Sequence, residues 1–122
     1  MIVELSREYR FEAAHHLPRV PAGHKCARVH GHSYKIVLHV RGQVDPDSGW
    51  LVDFGVLDEV FAARIHSRLD HRNLNDIPGL ENSTCEVLAA FIWAEVLPAV
   101  PQLSAVSVWE TSDASCTYRG ED

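Results

Sequence analysis

The chain has 122 residues, 46% of them hydrophobic and 23% charged, the size and balance of a single soluble globular domain spanning 1–122. Seventeen acidic against eleven basic residues leave a net charge of −6, which argues against nucleic acid as a partner, since neutralising phosphates takes basic patches. No run approaches the ~20 apolar residues of a membrane helix, so a membrane partner is not expected.

Residues 2–14 alternate around Val3, Leu5, Tyr9 and Phe11 and predict a strand. Pro18, Pro21 and Gly23 mark a loop over 17–29. Alternation returns over 32–44, with Tyr34, Ile36, Leu38 and Val40 on one face. Asp45-Pro-Asp-Ser-Gly49 reads as a turn and Trp50-Leu-Val-Asp53 as a short strand. From 54 to 69 the period lengthens. Leu57, Val60, Phe61, Ile65 and Leu69 fall at steps of three and four behind an Asp53 N-cap, which predicts a helix.

A loop rich in Asp, Asn, Pro and Gly spans 70–82. Ser83-x-x-Glu86 reads as a capping box before a second helix carrying Val87, Leu88, Phe91, Ile92 and Val96, and Pro98 and Pro101 end it. Residues 104–111 alternate as a strand that 116–119 extends or pairs with. Strands and helices in separate runs predict an α+β fold, an antiparallel sheet with two helices on one face. So short a sheet has open edges, and pairing them between subunits is the natural remedy.

The chemistry concentrates in Cys26-Ala-Arg-Val-His30-Gly-His32 and in Phe11-Glu-Ala-Ala-His15. Alternation puts His30 and His32 on one face of a strand, and a neighbouring strand would add His15. His16 points the other way, because Phe11 and Ala13 share the parity of His15. Three imidazoles with one open position fit a catalytic zinc, whereas calcium and magnesium prefer oxygen. Chance proximity of histidines is the plainer account of the same spacing. His24, His39 and His66 read as surface residues.

Cys26 is either a small buried residue or a reactive thiol, and the flanking Lys25 and Arg28 favour thiolate. Cys85 and Cys116 lack that setting and read as packing residues. The three cysteines form no disulfide framework, and the N-terminus lacks a signal peptide's apolar core, so a reducing cytoplasm is expected. Asp70-His71 fits a helix C-cap or a carboxylate–imidazole proton relay. Glu110 stands on an otherwise apolar strand face and needs a partner, either an arginine or a cationic or amide-rich ligand.

Taken together, Phe11–His15, Gly23-His-Lys-Cys26, His30-Gly-His32, Asp45-Pro-x-x-Gly-Trp50, Val52-Asp-Phe54, Leu69-Asp-His71, Leu74–Asn82 and Glu110-Thr111 resemble the 6-pyruvoyl-tetrahydropterin synthase family over nearly the whole chain. The resemblance implies a tunnelling fold: a four-stranded antiparallel sheet with two helices, oligomerising into a strand barrel, with a hexamer expected. It implies Zn2+ on His15, His30 and His32, Cys26 as the catalytic thiol with Asp70 and His71 as its proton relay, and Glu110 as the anchor of the pterin ring. The implied substrate is 7,8-dihydroneopterin triphosphate, with Lys25, Arg28 and Arg119 as charge-based candidates for its triphosphate.

The short chain and the Asp-Ile-Pro-Gly-Leu-Glu-Asn segment look like the branch that cleaves the side chain to 6-carboxy-5,6,7,8-tetrahydropterin, releasing acetaldehyde, in 7-deazaguanine and queuosine biosynthesis. Elimination of triphosphate alone, giving 6-pyruvoyl-tetrahydropterin, is the neighbouring alternative. A metal-binding module without catalysis is the alternative of another class. Relatives often carry Pro-Thr where this chain has Ser83-Thr84, which bears on pterin contacts near that helix and not on the metal.

Overall fold

The computed structural model describes all 122 residues. Two long strands, β1 (Ile2–His15) and β2 (His30–Gln43), pair antiparallel along their whole length. β2 pairs antiparallel with β4 (Leu103–Thr111), and β4 pairs antiparallel with β5 (Ala114–Tyr118). A two-residue strand, β3 (Arg72–Asn73), pairs parallel to the other edge of β1. The sheet order is therefore β3-β1-β2-β4-β5, five strands where four antiparallel ones are expected. A two-residue strand is too short to show a periodicity, which is why 70–82 reads as loop.

The first helical stretch is one rod in three parts: α1 (Phe54–Phe61), a π-helical segment (Ala62–His66) and α2 (Ser67–Leu69). Its buried residues are Leu57, Phe61, Ile65 and Leu69, each four apart. In a regular helix of 3.6 residues per turn a four-residue step drifts off the core face. The wider π turn absorbs that drift and keeps the stripe inward. Asp53 caps the rod, its carboxylate accepting from the Gly55 N–H at 2.9 Å.

α3 (Cys85–Val96) buries Leu88, Ala89, Ile92 and Val96. These side chains join those of the first rod and the inward residues of β1, β2 and β4 in one core, where Tyr34, Ile36, Leu38, Val106 and Val108 are fully enclosed. The cap of α3 departs from the expected one. Thr84, not Ser83, is the N-cap, its hydroxyl accepting from the Val87 N–H at 3.2 Å. Ser83 is wholly buried and turned towards His15.

Trp50–Asp53 forms no strand either. Its one ladder-like bond runs from the Asp45 N–H to the Trp50 carbonyl, at 3.0 Å, and closes the turn instead. Asn75 ties the 70–82 segment to the end of β1, accepting from the His16 N–H and donating to the carbonyls of His16 and Glu81, all at 2.9 Å. Replacing Asp53 by Ala removes the cap of the first rod. It is expected to cost about 1 kcal/mol in denaturant unfolding, with Asp53→Asn staying near the parent.

Candidate functional site

The β1–β2 register builds the site. His15 ends β1 directly opposite His30, the first residue of β2, and His32 follows two residues on, on the same face. The three rings meet edge to face with centroids 4.6, 4.8 and 5.1 Å apart, and their ring nitrogens converge within 4.8 Å of one another. His15, the predicted choice over His16, is buried. Its Nδ1 lies 2.9 Å from the Ser83 carbonyl, and the Nδ1 of His30 lies 2.8 Å from the Arg28 carbonyl. A carbonyl only accepts, so each Nδ1 carries the hydrogen and each Nε2 keeps its lone pair.

Burial pushes the His15 imidazole down to about 4, and the neighbouring histidines act in the same direction. Burial, then His30, lowers His32 as well. Both are therefore neutral at physiological pH, the state a metal requires of its ligands. His32 Nε2 is moreover buried with no hydrogen-bond partner. Such an orphan is costly unless something binds it. The set fits a transition-metal ion: three imidazoles, two of them oriented by backbone carbonyls, and one lone pair without another use.

Cys26 is near in sequence but is not one of these converging donors. It lies half-buried on a 3-10 turn, Lys25–Ala27. Its N–H donates to His24 Nδ1 at 3.0 Å and its carbonyl accepts from the Leu17 N–H at 2.7 Å. His24, expected to be a plain surface residue, thus holds the cysteine turn. The cysteine's neighbours Lys25, Ala27 and Arg28, with Gly23 and His24, line an open cleft of about 470 Å³. Arg119 directly follows β5, and its charge acts on His39, seven residues along β2 from His32.

Asp70 and His71 form a close pair, His71 Nδ1 to Asp70 Oδ2 at 2.8 Å. The edge of β1 fixes them: the Glu12 N–H donates to Asp70 Oδ1 at 3.0 Å and the His71 N–H donates to the Glu12 carbonyl at 2.6 Å. The Glu12 amide, and then His71, hold the Asp70 carboxyl below the usual range. His71 is the one non-glycine residue with positive φ, at 57°. Strain of this kind collects where function fixes the residue type. His71 and His32 line the same cleft, of about 490 Å³, with Glu12, Ser33 and Asn73.

Glu110 has no arginine partner; its carboxylate reaches His32 Nε2 at 4.0 Å. Burial, and then the charge of Glu86, push its carboxyl up. It opens onto a cleft of about 280 Å³ with Ser33, Trp109 and Thr111. Sequence reasoning missed Ser83, His24 and Glu12. The first reads as a helix cap, the second as a lone surface histidine, and the third acts through its backbone, which carries no residue-type signal.

A five-stranded α+β sheet with two helices packed into one core and a tris-histidine cluster suited to a metal defines the class. The chain belongs to the 6-pyruvoyl tetrahydropterin synthase family, whose model matches residues 4–121. A Synechocystis protein named 6-carboxy-5,6,7,8-tetrahydropterin synthase is 38% identical over 117 residues, 92% of this chain and 89% of its own length. A Bacillus subtilis protein of the same name is 37% identical over 95% of this chain and 84% of its own. The human 6-pyruvoyl tetrahydrobiopterin synthase is 32% identical, covering 97% and 92%. The solved structure of Caenorhabditis elegans 6-pyruvoyl tetrahydropterin synthase superposes with a TM-score of 0.91 at 29% identity, over 99% of this chain and 97% of that one.

The strain at His71 makes a measurable prediction. His71→Gly and His71→Ala lose the same imidazole, but only glycine is at ease at this φ. The Gly variant is expected to be the more stable of the two by ~1 kcal/mol in urea unfolding. Equal stabilities would mean that the left-handed backbone is not maintained in solution.

Proposed function

We propose that this chain converts 7,8-dihydroneopterin triphosphate and water to 6-carboxy-5,6,7,8-tetrahydropterin, acetaldehyde and triphosphate, as a zinc-dependent lyase supplying 7-deazaguanine and queuosine biosynthesis in the cytoplasm. The observation that carries the reading is the His15–His30–His32 cluster with the Glu110 carboxylate 4.0 Å from His32, in a chain of this family. The two bacterial relatives support the carboxy product, being named for it at 38% and 37% identity. The substrate is both oxidised and reduced, so no nicotinamide is needed.

His15, His30 and His32 would hold the zinc through Nε2, with Ser83 and Arg28 fixing two of the rings from behind. When bound, zinc would polarise the hydroxyls of the substrate side chain and make the adjacent C–H bonds more acidic. Glu110 accepts the amino group and ring N–H of the pterin as a two-point hydrogen bond. Cys26 takes a proton at Sγ and returns it at another carbon. Asp70 orients His71 through Nδ1, leaving its other nitrogen to relay protons to and from the thiol. Within one chain His71 and His32 line one cleft, and Cys26 lines neither that cleft nor the one its neighbours Lys25 and Arg28 form. The protein acts as a homo-oligomer, a hexamer being the family expectation, and the relay is completed between its subunits. Lys25 and Arg28 face the triphosphate.

The second reading, 6-pyruvoyl-tetrahydropterin formation, is favoured by the human relative's name and uses the same residues. Incubation with dihydroneopterin triphosphate separates the two: the carboxy reading expects one acetaldehyde per triphosphate released, and triphosphate without acetaldehyde would sink it. Cys26→Ala is expected to keep the parent's zinc content and lose roughly 10²–10⁴-fold in turnover. His30→Ala is expected to lose one zinc per chain together with activity. A Cys26→Ala variant with full turnover would overturn the thiol's role, and a zinc-loaded parent with no turnover on this substrate would leave the metal-binding module.

A further inference from the structure

A second set of metal-competent donors converges on the other side of Glu110. Cys85, the first residue of α3, its neighbour Glu86, and Cys116 of β5 bring two sulfurs and a carboxylate within 4.8 Å of one another. Both cysteines are free and half-buried, and Cys116 is fixed opposite Val108 by the β4–β5 register. The Cys85 thiol donates to Glu86 Oε1 at 3.1 Å.

The charge around these groups is one-sided. Burial, then Glu86, push the Cys85 thiol up to about 12, and Glu110 adds to the rise. Cys116 is raised by burial and by Glu86, and Glu110 is itself raised by burial and Glu86. Glu86 makes no ion pair, and the basic group nearest Glu110 is the neutral His32 ring, at 4.0 Å. Two thiols and two carboxylates thus crowd the end of the sheet with no lysine or arginine paired to them.

We propose that Cys85, Cys116 and Glu86 form a second metal site, taking a thiophilic divalent cation such as zinc through two sulfurs and one carboxylate oxygen. On binding, each thiol gives its proton to solvent and the cation takes its place. Sulfur ligands select zinc-like ions over magnesium and calcium. A disulfide between the two cysteines would leave Glu86 without a role, whereas a cation uses all three groups. The bound ion would staple the first turn of α3 to edge strand β5 beside the Glu110 pocket. The site shares no ligand with the histidine cluster and stands whether or not that cluster is catalytic.

Cobalt titration of the full-length, metal-stripped protein in a non-thiol reductant tests this. Two Co2+ per chain are expected, one of them carrying a sulfur-to-cobalt charge-transfer band in the near ultraviolet. Cys85→Ser and Cys116→Ser should each bind one Co2+ and lack the band. His30→Ala should also bind one but keep it, and Cys26→Ala should bind two and keep it. A parent that binds cobalt without the charge-transfer band overturns the proposal, as does a band that Cys26→Ala removes and Cys85→Ser leaves.

Discussion

The register between β1 and β2 is the constraint on which the rest depends. Fourteen residues of each strand pair without a break, from Ile2 with Gln43 to His15 with His30. Phe11, Ala13 and His15 on one strand, and Tyr34, Ile36, Leu38 and Val40 on the other, face the same core. A slip of one residue would turn all of them outward, so the hydrophobic pattern fixes the register strongly. The same pattern that buries Phe11 therefore delivers His15 to His30 and His32. Packing energy is spent on the site's geometry before any ligand arrives.

Around that frame the polar groups are sorted by sign. His15 and His32 are driven towards neutrality by burial and by neighbouring histidines, while backbone carbonyls set the hydrogen on the outer nitrogen of His15 and His30. At the neighbouring end of the sheet, Glu110, Glu86 and two thiols make a region that accepts protons or cations. His71 is held in a left-handed backbone conformation by Glu12 and by its pair with Asp70. That conformation costs stability in a non-glycine residue, and it sets the imidazole against the Asp70 carboxylate.

Much of this was legible in the sequence, and the reasons are local. The alternation in 2–14 and 32–44 placed both long strands within two residues of their ends, and the parity of Phe11 and Ala13 selected His15 over His16. The four-residue spacing of Leu57, Phe61, Ile65 and Leu69 gave the helix but not its π segment, which answers a core that the spacing alone does not describe. What escaped depends on long-range pairing. β3 is two residues whose only reason to be a strand is the open edge of β1. Ser83 carries the pattern of a cap, yet Thr84 takes the cap and Ser83 turns inward to His15. Cys85 and Cys116, 31 positions apart in the chain, read as packing residues until α3 and β5 bring their sulfurs together.

The central claim divides the labour: histidines hold the metal and Cys26 moves protons without ligating it. X-ray absorption at the zinc edge tests it directly, on Cys85→Ser protein carrying one zinc per chain. The account predicts a shell of nitrogen and oxygen only, at ~2.0–2.1 Å, with the scattering signature of three imidazoles. A sulfur scatterer near ~2.3 Å that disappears in the Cys26→Ala variant would contradict it.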